Sequence, residues 1–228
     1  MKRADMKLYH GSDHIVEVPT YGFGKPYNDY GLGFYCTQHP DMAGEWAVGF
    51  DHDGFINEYD FDTNGLKIVD LDAPEFTTLH WLAVLLANRW FDVRAPIANE
   101  AREYLLANFS VDLSKADVVE GYRADDSYFT FAQDFINGTI SYRQLGNAMR
   151  LGELGRQVVV KSERAFSRLQ FQGAQEALRP VWLPRRERRD REAREQYFDH
   201  ERNARKKGDL FITQIIDEEM RPHDDRLR

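Results

Sequence analysis

Short apolar and aromatic runs of strand period alternate along this chain with stretches of helical period, separated by polar segments that carry glycine. Lys7 to His10 predicts a strand ending at Gly11. Ser12 to Leu32 predicts a long polar loop containing Pro19, Gly22, Gly24 and Pro26, and loops of that length in compact domains are often functional. Gly33 to Thr37 crowds aromatic and β-branched residues and predicts a second strand. A helix follows from Pro40, with Ala43, Trp46 and Ala47 on one face. Phe55 to Asp62 and Leu66 to Asp72 predict paired strands around the turn Thr63-Asn64-Gly65.

Phe76 to Trp90 predicts a buried helix and Ile97 to Asn108 a more amphipathic one. Ala116 to Gly121 predicts a strand, Phe129 to Asn137 and Tyr142 to Leu151 short helices, and Gln157 to Lys161 a strand. Ser162 is placed to cap a short helix through Ala165-Phe166, after which Leu169 to Phe171 predicts a strand. Beyond Gly173 the composition changes. Arg185 to Lys207 holds ten Lys/Arg against six Asp/Glu and predicts a polar, basic helix. Several short strands with inserted helices give an α+β fold with a mainly antiparallel or mixed sheet, residues 1–173 forming one domain and 174–228 a basic helical extension. No GxGxxG follows a strand, so a dinucleotide fold of the doubly wound kind has little support.

The composition, 42% hydrophobic and 30% charged over 228 residues, is that of an ordinary globular protein. A net charge of -8 argues against a surface that wraps nucleic acid as a whole, though not against a local basic patch. The single cysteine, Cys36, excludes an internal disulfide and a CxxC metal site and reads as a buried small apolar residue. His14, His39, His52 and His80 have no metal-ligand spacing, so no metal is expected. The first residues lack the apolar core of a signal peptide, and the apolar stretch Leu79 to Leu86 is too short to span a bilayer. A cytoplasmic protein without membrane association is the expectation.

Three distant segments fit one chemistry. In Tyr9-His10-Gly11-Ser12, the histidine closes a strand, the glycine admits a ligand to the backbone, and the serine adds a hydroxyl. In Gly31-Leu32-Gly33-Phe34-Tyr35, Tyr35 lies on a strand, and Trp46 follows it on a helix. Two such aromatics can sandwich a flat heteroaromatic ring, with a cation–π gain of about 1–2 kcal/mol if that ring is positive. In Arg156-Gln157-Val158-Val159-Val160, an amide opens an apolar strand and can pair with sugar hydroxyls.

Together these segments resemble the ADP-ribosyltransferase superfamily, in its poly(ADP-ribose)-polymerase-like His-Tyr-Glu branch, and more narrowly an uncharacterised bacterial DUF3990-like group. The resemblance rests on His10-Gly11-Ser12, Gly31 to Tyr35, Trp46, Gln157 to Val160 and Leu169-Gln170-Phe171, and covers about residues 7–172. It implies a split β-sheet core and an enzyme that transfers ADP-ribose from NAD+ to a macromolecular acceptor, protein or nucleic acid. His10, Tyr35 and Gln157 would be the catalytic residues. Gly11 would pair with the nicotinamide carboxamide, His10 and Ser12 would bind the adenosine ribose, and Tyr35 and Trp46 would stack on nicotinamide. Arg123 is a candidate for the pyrophosphate. Some members resemble toxin–antitoxin or delivered effector components, which would add an antitoxin partner or a target cell.

Two positions depart from the family pattern. Ala43 stands where a serine often holds the carboxamide, and Gln157 stands where the family has a catalytic glutamate. A glutamine orients but brings no negative charge, so mono-transfer is expected over polymer synthesis, with a weak NAD/ADP-ribose-binding module or an NAD glycohydrolase as the alternative. Asp125 and Asp126 are candidates for the missing charge on the acceptor side; a solvated turn is the competing reading. Glu163 and Glu176 are less suited, since Gln157 opens the strand where the glutamate belongs. The basic stretch 185–207 reads as a solvated helix, with a phosphate-contacting arm or an antitoxin-docking helix as the functional alternative.

Overall fold

The computed structural model describes residues 5–124, 126–151 and 156–227, with the backbone alone at 126 and 127. Among the described residues, seven strands form two sheets. β1 (Met6–Ser12), β3 (Gly54–Phe61) and β7 (Leu169–Ala177) make an antiparallel sheet with β3 at its centre. β2 (Phe34–Cys36), β6 (Arg156–Val160), β5 (Val118–Tyr122) and β4 (Ile68–Asp70) make the second, in that order. The sheets meet at one antiparallel bridge, where Tyr9 and Thr37 exchange backbone hydrogen bonds of 2.8 and 2.9 Å.

Strand alternation sorts the apolar residues into layers. Cys36, Val118, Val158 and Val160 of the second sheet pack with Leu8 and Phe61 of the first, forming the small core between the sheets. The opposite face of the second sheet, bearing Val119 and Val159, packs on the main core. That core is built by α2 (Thr78–Asn88), α3 (Pro96–Phe109), α4 (Asp126–Ile136) and α5 (Tyr142–Ala148). Thr77 and His80 close a capping box at the start of α2, as Ser141 and Gln144 do for α5. A third cluster joins β1, β3 and β7 to α1 (Pro40–Ala47) through Tyr9, Ile56, Ala43 and Ala47.

The α+β expectation holds, and most predicted elements lie within a few residues of their places. The paired strands expected around Thr63-Asn64-Gly65 do not form. The chain does turn there, with Gly65 at φ 72°. Leu66 and Ile68, however, pack into the core between the sheets, and β4 pairs in parallel with β5 instead of folding back on β3, whose edges are taken by β1 and β7. The strand expected to stop at Phe171 runs to Ala177 across a bulge at Glu58/Tyr59.

After α6 (Glu163–Phe166), capped by the Ser162 side chain, and β7, the basic helix starts early. α7 spans Arg179–Asp199, with Pro180 in its first turn and Pro184 inside it. α8 (Ile212–Asp217) follows. Tyr197, Ile212, Ile215, Met220 and Leu227 are buried in the same core as α2 to α5, so the residues after 173 share its packing. Among the described residues, no helix is long and apolar enough to cross a membrane.

Candidate active site

Tyr35 pairs with Val159 on β6, and Gln157 lies two residues before Val159 on the same strand face. Both side chains therefore stand on one face of the second sheet, as diagonal neighbours. Gln157 is opposite Gly121, where a Cβ would come within 2.4 Å of the Tyr30 hydroxyl. The missing side chain lets Tyr30 pass beneath and donate to the Tyr122 carbonyl at 2.5 Å.

The segment from 13 to 33 is anchored at both ends. Asn57, fully buried, accepts from Val16 N–H at 2.8 Å and donates to Ser12 Oγ at 3.1 Å. Lys161 donates to the carbonyls of Tyr30 and Leu32 at 2.5 and 2.9 Å. Tyr35 Oη donates to the Gly31 carbonyl at 2.6 Å and accepts Tyr30 N–H at 3.0 Å, and Gly31 takes φ 71°. The turn before β2 is thus built around the Tyr35 hydroxyl.

Above this face lies a cleft of about 590 Å³. Asp29, Tyr35, Trp46, Arg123 and Gln157 line it, with Arg89 at the end of α2 and Phe50 beyond α1. Arg186, Glu187 and Asp190 of α7 form its far wall. The Arg123 guanidinium lies 4.9 Å from the Trp46 ring centroid, a cation–π stack in the position expected for a charged ligand ring. Trp46 Nε1–H is buried and has no acceptor among the described residues.

His10, Gly11 and Ser12 are not part of that lining, and Phe34, on which the His10 ring packs, lies by strand alternation on the face opposite Tyr35. His10 Nδ1 is 2.7 Å from the Tyr35 carbonyl, and its ring packs on Phe34 at 4.3 Å. A carbonyl only accepts, so Nδ1 carries the hydrogen and Nε2 is left as an acceptor. Burial lowers the His10 pKa, against the smaller opposing effect of that hydrogen bond, and favours the neutral ring.

Tyr9 directs its N–H and C=O to Thr37, so by alternation Gly11 turns its own toward the same split between the sheets. Gly11 also has a packing reason to be glycine, since a Cβ there would lie 2.0 Å from the Ala43 carbonyl of α1. Ser12 Oγ is occupied locally, donating to the His14 carbonyl at 2.6 Å.

Asp125 and the Asp126 side chain lie outside the described residues. Sequence reasoning missed the carboxylate that does adjoin Gln157. Asp29 Oδ2 accepts from Gln157 Nε2 at 2.8 Å and from Ala124 N–H at 2.9 Å, while Arg89 is 3.3 Å from Oδ1. Burial pushes the Asp29 pKa upward, and the Ala124 N–H, the Gln157 amide, Arg89 and Arg123 oppose that shift. The only sequence signal was an acidic residue inside a long loop. Cys36 is buried, as expected, and its thiol is pushed above its ordinary range by burial. Among the described residues, no group of His, Cys, Asp and Glu is arranged to hold a metal ion.

α7 is held over the cleft by contacts with α1. Trp182 packs so closely on Gly44 that a Cβ there would lie 2.7 Å from the indole. Arg186 donates to the Val48 carbonyl at 2.9 Å, at the end of α1, and Arg189 pairs with the buried Glu45. Several of the basic residues read as solvated are therefore committed to the protein itself.

No curated protein and no solved structure matches the chain. One family model does, over residues 6–171, which takes in β1 through the first three residues of β7 and every cleft residue outside α7. The chain belongs to that family, described as a protein of unknown function (DUF3990).

Proposed function

We propose that the cleft binds NAD+ as substrate and that the protein transfers its ADP-ribose to a macromolecular acceptor, a protein or a nucleic acid. The observation that carries this reading is the convergence of Tyr35, Trp46, Arg123 and Gln157, from distant parts of the chain, on one cleft of about 590 Å³. The likeness of the same segments to the ADP-ribosyltransferase superfamily supplies the reaction class. The orphaned Trp46 N–H and the Gly11 backbone groups facing the split are polar groups a dinucleotide could satisfy.

In this reaction the bond between ribose C1′ and the nicotinamide nitrogen breaks, and its electron pair leaves with neutral nicotinamide. The oxocarbenium-like C1′ accepts a lone pair from the acceptor, whose proton is released. The Tyr35 and Trp46 rings offer flat faces to the nicotinamide, whose positive ring would displace the Arg123 guanidinium from Trp46 and leave it for the pyrophosphate. Gly11 pairs with the carboxamide. His10 Nε2 accepts from a ribose hydroxyl, and Gln157 orients the reacting ribose. α7 helps to close the cleft against water.

Incubation with labelled NAD+ and a cell lysate tests the proposal, with His10→Ala and Gln157→Ala as controls. Labelled acceptor and free nicotinamide are expected from the wild type and not from the variants; neither product from the wild type would overturn transfer. The neutral Gln157 favours one second reading, a module that binds NAD or ADP-ribose without turnover. Calorimetric NAD+ binding with no nicotinamide release would select it, and nicotinamide release without labelled acceptor would mark a glycohydrolase. The toxin reading predicts growth arrest on expression, relieved by Gln157→Ala.

A further inference from the structure

We infer that Asp29 is a positioning residue that fixes the Gln157 amide with its oxygen toward the cleft, making that oxygen the acceptor for a hydroxyl of the reacting ribose. This rests on the NAD+ reading above. A carboxylate can only accept, so the hydrogen bond of 2.8 Å between Gln157 Nε2 and Asp29 Oδ2 settles which way round the amide sits. Oε1 then points away from Asp29. It has no hydrogen-bond partner among the described residues, and Gln157 lines the cleft. Asp29 is itself fixed, by Ala124 N–H on the same oxygen and by Arg89 on the other, and is 5% exposed.

A hydrogen bond to an ionised acceptor is roughly twice as strong as a neutral one and draws electron density toward the far end of the amide. The negative charge that Gln157 lacks is thus supplied one residue back, through the amide, with no proton moved. Arg89 and Arg123 face the Asp29 carboxylate, the phenols of Tyr30 and Tyr35 lie close to it, and Arg186, Glu187 and Asp190 of α7 look into the same cleft.

The arrangement reverses what the family pattern alone predicts for Gln157→Glu. By that pattern, a glutamate restores the catalytic carboxylate and raises the rate. Beside Asp29 it places two carboxylates at hydrogen-bond distance, which cannot both ionise at neutral pH.

The full-length wild type, Asp29→Asn, Gln157→Glu and the double variant are compared for NAD+ affinity by calorimetry and for nicotinamide release between pH 5.5 and 8.5, with folding followed by circular dichroism. Asp29→Asn is expected to slow release by about 10- to 100-fold, more than it weakens NAD+ binding. Gln157→Glu alone is expected to release less than wild type at pH 7.5 and to recover in part at pH 5.5. The double variant is expected to exceed Gln157→Glu at pH 7.5. A folded Asp29→Asn protein with wild-type release overturns the inference and leaves the NAD+ reading standing. So does Gln157→Glu acting faster than wild type at pH 7.5. If Asp29→Asn does not fold, the Gln157→Glu pH profile decides alone. A wild type that neither binds NAD+ nor releases nicotinamide overturns both.

Discussion

His10 Nδ1 meets the Tyr35 carbonyl at 2.7 Å, so a single side chain ties the three-stranded sheet to the four-stranded one. The ring must be neutral with its hydrogen on Nδ1 to leave Nε2 as an acceptor, and burial favours that state by lowering the pKa.

This has a pH consequence. The unfolded chain binds a proton at His10 near the ordinary value of 6.5, whereas the folded protein binds it only at lower pH. Stability from this site is therefore complete above about pH 6.5 and declines as pH falls toward the folded pKa. His80, whose pKa burial also lowers, acts in the same direction. The melting temperature is expected to drop between pH 7.5 and 5.5, and the drop should shrink in His10→Gln. An unchanged drop in that variant would assign the effect elsewhere.

Gly11→Ala sets a methyl group against the backbone of α1, 2.0 Å from the Ala43 carbonyl and 2.7 Å from Ala47 N. Backbone cannot rotate away as a side chain can, so α1 must shift and carry Trp46 with it. Overpacking of this kind costs about 1–3 kcal/mol. Urea denaturation is expected to show that loss, together with a change in Trp fluorescence of the folded state.

Tyr35 has two separable functions. Tyr35→Phe keeps the ring and removes the hydroxyl bonds to Gly31 and Tyr30, costing about 1–2 kcal/mol of stability. Tyr35→Ala removes the ring as well. If the ring stacks on nicotinamide, calorimetry should find NAD+ affinity within about threefold of wild type for Tyr35→Phe and at least about tenfold weaker for Tyr35→Ala. Equal affinities for the two variants would argue against stacking.

A chain ended at Gly173 loses the last residues of β7 and the buried Tyr197, Ile212, Ile215, Met220 and Leu227. It is expected to expose the main core and bind a hydrophobic dye, with no cooperative thermal transition. A sharp transition at the wild-type temperature would show that residues 1–173 fold unaided.

Much of this molecule is legible in its sequence because the signals are local. Ser162 caps its helix, Pro40 starts α1, and the alternation of Gln157 to Val160 divides that strand between two cores. Tyr35, Trp46 and Gln157 could be grouped in advance because their segments resemble a known superfamily in order and spacing, and all three reach the cleft. Other features depend on what a segment meets after folding. The turn at Gly65 fixes a change of direction but not which sheet edge receives the next strand. Asp29 becomes informative only when its loop returns to β6, 128 residues away, and Arg89 only when the end of α2 reaches that loop. The charges of α7 looked solvated because Glu45 and the end of α1, their partners, lie some 140 residues earlier.

One wall of the cleft, Arg186, Glu187 and Asp190, comes from beyond residue 171, where the family match stops. The family match therefore covers the floor of Tyr35, Trp46 and Gln157 but not the helix that faces it. Whatever discrimination Arg186, Glu187 and Asp190 exert on an incoming molecule would then come from outside the stretch that defines the family.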